Sequence, residues 1–186
     1  MAQSSDSLEY AGFWPRFCAI WVDIFFMLPI IGFIYWGSRH YRLFDFYSFL
    51  PNQLFSLFYS VYLVRRYGGT PGKRVMKLSI LKVDGNPIGY REAILRFLPD
   101  FILGFLASIA LIIGYFQMTD TEFNTLSITD QYKRLAVLEP AWFHPVSVIQ
   151  QVWMWSEFVV LLTNKKRRAL HDFIAGTVVV ISKKAI

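Results

Sequence analysis

The chain has 186 residues, of which 55% are hydrophobic, 18% aromatic and only 17% charged. Soluble domains carry nearer to about 25% charge, so this balance, drawn out in several long apolar runs, excludes an ordinary soluble domain and reads as a polytopic membrane protein. The formal net charge is +6, but the lysines and arginines cluster beside apolar runs, where anionic lipid accounts for them and a nucleic-acid partner is not needed. The single cysteine, Cys18, rules out an intrachain disulfide.

Residues 1–10 are polar and carry Asp6 and Glu9 with no basic residue. They lack the positive segment and small-residue cleavage site of a secretory signal, so the first apolar run is expected to be retained. That run, residues 17–35, is long enough at about 1.5 Å per residue to cross a bilayer. Arg16 stands at its entrance, and Asp23 follows seven residues later inside apolar sequence. Seven residues are two helical turns, so both side chains fall on one face, about 10 Å apart along the axis. An ionised carboxylate in a span costs about 2.5–3.5 kcal/mol on insertion scales, so Asp23 is expected to face inward; Arg16 can snorkel to headgroup phosphates. Pro29 predicts a kink.

Residues 37–45 form a polar connection containing Arg39, His40 and Arg42. Residues 46–64 read as a second span, interrupted by Pro51-Asn52-Gln53, with Tyr59, Tyr62 and Tyr67 as an aromatic belt near its exit. Residues 65–100 are the most basic stretch, with Arg65, Arg66, Lys73, Arg74, Lys77, Lys82, Arg91 and Arg96. A third span over 101–118 leads into a polar segment, 119–144, in which a short amphipathic helix is expected over 129–138 with Thr129 as its N-cap. A fourth span over 145–163 encloses Glu157, and the tail adds Lys165, Lys166, Arg167, Arg168, Lys183 and Lys184. The positive-inside rule puts loop 65–100 and the tail on the cytoplasmic side and segment 119–144 outside, with an even number of spans between the basic segments. The expected fold is an all-α membrane protein, one domain over 1–186, with four transmembrane helices and a small cytoplasmic β element. In that element residues 78–83, ending at the turn Asp84-Gly85-Asn86-Pro87, pair with residues 177–181.

Gly68-Gly69-Thr70-Pro71-Gly72-Lys73-Arg74 invites a phosphate-loop reading and fails it. Aligned on Gly72-Lys73, the first glycine falls at Tyr67 and the hydroxyl residue at Arg74. Thr70 as N-cap with Pro71 at the first helical position explains the motif as a helix start. Lys73, Arg74 and Lys77, with Arg167 and Arg168 of the tail, are the expected contacts to anionic lipid or a partner. His171 and Asp172 are adjacent and so do not face each other on a helix, and no further His or Cys lies nearby in sequence; no metal site is expected, and Asp172 is expected to pair with an arginine such as Arg16. Glu157 is the second deep carboxylate. Brought close to Asp23 it would make a protonatable pair; otherwise it locks packing through hydrogen bonds. No nucleophile, base and orienting group stand together, so neither an enzyme nor a cofactor is expected.

Three stretches in order resemble the signatures of the RDD family of small integral membrane proteins: Ala11-Gly12-Phe13-Trp14-Pro15-Arg16 with Asp23, then Gly69-Thr70-Pro71-Gly72-Lys73-Arg74, then Arg168-Ala169-Leu170-His171-Asp172 with Ala175-Gly176-Thr177-Val178-Val179. The resemblance covers nearly the whole chain, though segment 119–144 matches none of its motifs. It implies that the name-giving arginine is Arg16 and the two aspartates are Asp23 and Asp172, and the family has been suggested to transport unidentified ligands. The expected function is therefore movement of a small cation, a proton or another ligand through a charged network of Arg16, Asp23, Asp172 and Glu157. The alternative is a non-transporting membrane adaptor or assembly factor that uses the basic cytoplasmic face. Four short helices enclose little volume, so a homo-oligomer or a membrane-protein partner is expected beside the lipid. The expected location is the bacterial cytoplasmic (inner) membrane, with both termini cytoplasmic.

Overall fold

The computed structural model describes residues 8–182; most of the polar N-terminal stretch, and the tail residues Lys183 and Lys184, lie outside them. The described residues are mostly helical. Three helices are long and apolar enough to cross a membrane: α1 (Phe13–His40), α5 (Tyr90–Gln117) and α8 (Phe143–Thr163). Pro15 is tolerated in α1 because the N–H groups of a first helical turn have no intrahelical partner. The most apolar windows of the three helices are only 6%, 11% and 6% buried within the chain, leaving Phe25, Phe33, Val152 and Leu162 turned outward. Each such side chain left in water forgoes about 1.5–3 kcal/mol, so this surface belongs against lipid.

A single span is expected over 46–64. There the chain forms α2 (Phe44–Leu57), a π-helical turn (Phe58–Tyr62) and α3 (Leu63–Tyr67) in one uninterrupted helical run. None of its three pieces is long enough to stand with the three spanning helices, so four spans are expected and three are found by length and apolarity. The short elements are α4 (Pro71–Val75), β1 (Leu78–Lys82), α6 (Asp120–Thr125), α7 (Ile128–Leu138), α9 (Leu170–Ala175) and β2 (Thr177–Ile181).

The chain divides into two compact units. The first takes the residues up to Leu28, then Phe55–Pro99, then those from Val152 on. At its centre β1 and β2 pair antiparallel, from Leu78 opposite Ile181 to Lys82 opposite Thr177. The Asp84-Gly85 turn after β1 is held by Gly85 N–H on the Lys82 carbonyl at 2.9 Å, with Gly85 at φ 83°. The free edge of β2 is covered as well: Ala11 N–H donates to Val179 O and Ile181 N–H to Glu9 O, both at 2.9 Å. Enclosure on every side explains why Thr177 to Val180 are all buried and why the strand is a β-branched run without polar alternation. Leu78, Ile80 and Val179 share a core with Ala11, Ala19, Val61, Val64 and Ala93.

α4 begins as its sequence dictates, with Thr70 capping it and Pro71 at the first position. It lies directly on the backbone of α1. A Cβ on Gly72 would stand 2.1 Å from the Ala19 carbonyl oxygen and 2.8 Å from the Asp23 nitrogen, so only glycine fits there.

The second unit comprises Pro29–Leu54 and Asp100–Gln151. Arg42 closes the end of α5, donating from Nη1 to the Tyr115 and Met118 carbonyls at 2.8 Å and from Nε to Asp120 Oδ1 at 2.6 Å. These are the carbonyls a helix end leaves without intrahelical donors. Thr119 and Glu122 start α6 with a reciprocal capping box, a helix the sequence reading does not anticipate. The N-cap of α7 is Ser127, two residues before the expected Thr129, because Ser127 Oγ accepts from Asp130 N–H and donates to Asp130 Oδ2 at 2.7 Å. Arg39 Nη1 donates to Oε1 of the buried Gln131 at 2.6 Å, and Tyr115, Met118, Phe123 and Leu135 pack as the core.

Gly72→Ala should therefore destabilise the protein by about 1–3 kcal/mol, the usual cost of overpacking. Gly104→Ala, whose added methyl group meets nothing within 4 Å, should be neutral or stabilising by about 0.5–1 kcal/mol as a helix-interior glycine replacement. Thermal unfolding of the two variants in detergent distinguishes them; equal effects would exclude backbone contact at Gly72.

Candidate functional site

Buried charged side chains gather in the first unit, around Asp172. Its side chain is wholly inaccessible, at 0% exposure. Arg16, from the first turn of α1, donates from Nη1 to Asp172 Oδ2 at 3.0 Å. Arg96, from the second turn of α5, donates from Nη1 to Oδ1 and also to Thr177 Oγ1 at 2.9 Å. Thr177 in turn donates its hydroxyl to Oδ1 at 2.9 Å, and the Ala169 N–H donates to Oδ2 at 3.1 Å. The remaining donors of Arg16 go to the Arg167 carbonyl at 2.5 Å and the Ala11 carbonyl at 3.3 Å. Burial alone would push the Asp172 carboxyl up; the Arg96 and Arg16 charges outweigh it and hold the group well below the usual carboxylate range.

His171 turns the other way. Its backbone N–H donates to Glu157 Oε1 at 3.0 Å, and its ring Nδ1 lies in close contact with Glu157 Oε2. Burial, reinforced by the Arg96 charge, lowers the imidazole below its ordinary value, so it is neutral at pH 7. The buried Nε2 has no hydrogen-bond partner among the described residues.

Asp23 has a different environment. Tyr59, in the π turn, donates its hydroxyl to Oδ1; Gly72 N–H donates to Oδ1 at 2.7 Å and Thr70 Oγ1 to Oδ2 at 2.6 Å. All three donors are neutral, and no cation pairs with Asp23 among the described residues. Lys73, next along α4, is half-buried, and its ammonium makes no hydrogen bond or ion pair there. Burial, helped by repulsion from Arg96 and opposed by Asp23 and Asp172, pushes it down to about 8.

Of the residues the sequence singles out, Arg16 and Asp172 bond directly, Glu157 reaches the same short helix through His171, and Asp23 bonds to Tyr59, Thr70 and Gly72. No group of three metal-binding side chains occurs among the described residues. Arg168 is internal to the site: Nε donates to Thr177 O at 3.0 Å, Nη2 to Asp172 O at 2.7 Å, and the guanidinium covers the Phe173 ring. Arg74 folds back on Tyr67, donating to its carbonyl at 2.9 Å, while Lys77 and Arg167 are exposed. Sequence reasoning misses Arg96, Thr177 and Tyr59 as site residues. The signal available for Arg96 is its place three residues before Pro99-Asp100, at the mouth of an apolar run rather than in the open loop.

Three apolar helices of spanning length and a cluster of largely buried, mutually paired charged groups define an integral membrane protein with a buried charge centre. The family model for the RDD family matches residues 10–176, and the chain belongs to that family. No curated protein and no solved structure matches it.

Breaking a buried pair by removing one partner costs about 3–5 kcal/mol. Arg96→Met and Asp172→Asn should each lose stability on that scale, and the double variant should lose distinctly less than the two losses together; strict additivity in denaturant unfolding would show that the two groups do not act as a pair. Lys73 predicts a pH effect of definite sign. Its folded value, about 8, lies below its value of about 10.4 in the unfolded chain, so its contribution to stability is present above about pH 10 and is lost as pH falls towards 8. The wild type should gain stability between about pH 8 and 10, and Lys73→Met should raise the pH 7 midpoint and flatten that rise; an unchanged profile would show that the ammonium is solvated.

Proposed function

We propose that this protein moves a small cation or a proton across the membrane, with Asp23 as the ion-binding carboxylate. The observation that supports the reading is the bonding of Asp23. A carboxyl group held by three neutral donors, with no counter-ion among the described residues and on a helix apolar enough to span a bilayer, is left open to an incoming cation or proton. Asp172 cannot take that part, because two arginines neutralise it. The Arg16–Asp172–Arg96 centre is in this reading the fixed frame, and Lys73 is the group whose proton a cation arriving at Asp23 would repel.

The helical run from Phe44 to Tyr67 serves as the fourth span, about 36 Å long at 1.5 Å per residue. With four spans the basic loop 65–100 and tail face the cytoplasm, in the bacterial inner membrane, and segment 119–144 faces outward. Four helices leave little room for a pathway, so the working form is an oligomer. The chain carries out no covalent chemistry and uses no cofactor. A second reading, a membrane adaptor or assembly factor, is favoured by one feature: the completeness with which Asp172 is satisfied, which suits a lock better than a moving part.

The test is ion flux in proteoliposomes across a pH gradient, with each variant first checked for folding and monodispersity. Wild type should carry protons or an alkali cation, Asp23→Asn should abolish the flux, and Glu157→Gln, whose carboxylate is engaged by His171, should retain most of it. Liposomes that stay tight to protons, lithium, sodium and potassium would overturn transport and leave the adaptor reading.

A further inference from the structure

The first unit carries a cleft of about 920 Å³ where the start of α1 meets the end of α8. Its lining is divided. Phe13 and Trp14 on one side and Leu162 on the other form an apolar wall, while Lys165, Arg167 and Glu9 supply charge. Trp14 and Leu162 are 70% and 69% exposed, so the wall continues without a break onto the lipid-facing surface. Phe13 and Phe158 pack at 5.9 Å between ring centroids, joining the two helices beside it. Neither Lys165 nor the Arg167 guanidinium has a counter-ion among the described residues, and against the single carboxylate of Glu9 the cleft holds one surplus positive charge.

Arg167 is placed there with some strain. Its φ of 47° is in the left-handed region, where a residue with a Cβ loses about 1–2 kcal/mol. Two hydrogen bonds fix it: its N–H donates to Asn164 O at 3.0 Å, and its carbonyl accepts from Arg16 Nη2 at 2.5 Å. The guanidinium lies across Gly12, where a Cβ would stand 2.6 Å from Nη1. The guanidinium thus lies at the mouth of the cleft.

We propose that this cleft binds one anionic phospholipid of the phosphatidylglycerol class, with its phosphodiester on Arg167 and Lys165 and its acyl chains along Phe13, Trp14 and Leu162. An apolar wall open to the bilayer and a net charge of one opposite sign at headgroup level fit a singly anionic phospholipid. A zwitterionic phosphatidylcholine lacks the net charge, and free phosphate would leave the wall uncovered. Through the Arg167 carbonyl the headgroup sits one residue from a direct ligand of Arg16, so its occupancy should be felt as added stability of the charge centre.

The experiment is native mass spectrometry and thermal unfolding of the delipidated full chain with phosphatidylglycerol, phosphatidylcholine or inorganic phosphate added in separate arms. Phosphatidylglycerol should be retained at one molecule per chain and raise the unfolding midpoint, with phosphatidylcholine and phosphate doing neither. Arg167→Gln and Lys165→Gln should each weaken retention about fivefold, the worth of one basic residue near an anionic headgroup. Lys166→Gln removes a neighbouring exposed charge that does not line the cleft and should leave retention unchanged. Equal retention of the two lipids, an equal loss with Lys166→Gln, or stabilisation by phosphate alone would overturn the proposal. Should Arg167→Gln fail to fold, Lys165→Gln against Lys166→Gln still decides, and none of these readings depends on whether the protein carries ions.

Discussion

An ionised carboxylate deprived of water is costly enough that it persists only where cations and hydrogen-bond donors already surround it. Asp172 is such a group, and its requirements organise the first unit. Two pieces of chain remote in sequence must converge to satisfy it, the first turn of α1 through Arg16 and α5 through Arg96, and two near neighbours complete the set, Ala169 at the start of α9 and Thr177 of β2. None can be withdrawn without leaving a charge or a donor stranded. Two arginines on one carboxylate leave a surplus of positive charge and of N–H donors, and the chain answers with carbonyls. Arg16 takes those of Ala11 and Arg167, and Arg168 covers the backbone oxygens of Asp172 and Thr177. The left-handed backbone of Arg167 is one consequence of that demand.

Asp172 and Asp23 therefore have different electrostatic surroundings. Asp172 is paired with two guanidinium groups, while Asp23 is held by a tyrosine hydroxyl, a capping threonine and a backbone N–H, with no cation paired to it among the described residues. The middle motif is what makes the second arrangement possible. Gly72 lets α4 touch the backbone of α1, and that approach brings its own N–H within 2.7 Å of the Asp23 carboxylate. Thr70 then does double duty, accepting from the Lys73 N–H as N-cap and donating to Asp23. A helix-start reading of Gly69-Thr70-Pro71-Gly72 is right about local geometry and says nothing of the carboxylate it receives.

The limits of the sequence follow from the same physics. Arg16 and Asp23 stand out because charge inside apolar sequence is conspicuous, and Asp172 because a signature places it. The two strands are legible from a β-branched run and an Asp-Gly turn. Arg96 is hidden at the end of a run of surface cations, since composition cannot tell a solvated arginine from one that α5 carries beneath a sheet. Tyr59 reads as one more belt aromatic, because the π turn that aims its hydroxyl at Asp23 leaves no periodic mark. Ser127 and Thr129 are equally good N-caps by residue type, and the choice falls to Ser127 because Asp130 lies three residues on, where it can answer the cap.

His171 shows how the centre is tied to the membrane. α9 is six residues long, too short to be stable by its own hydrogen bonds. It is held from one flank by the arginines on Asp172 and from the other by Glu157 of α8, which takes the His171 N–H and faces its ring. Adjacent residues on a helix point to different sides, and here that divergence is used: one residue faces the buried cations, its neighbour a carboxylate on a spanning helix. Nε2 makes no hydrogen bond among the described residues and lies 3.9 Å from Asp172 Oδ1, so a second proton would bring a further cation to a carboxylate that two arginines already hold. Burial next to Arg96 keeps the ring neutral. Glu157 thus fixes α9 to α8 through the His171 backbone N–H.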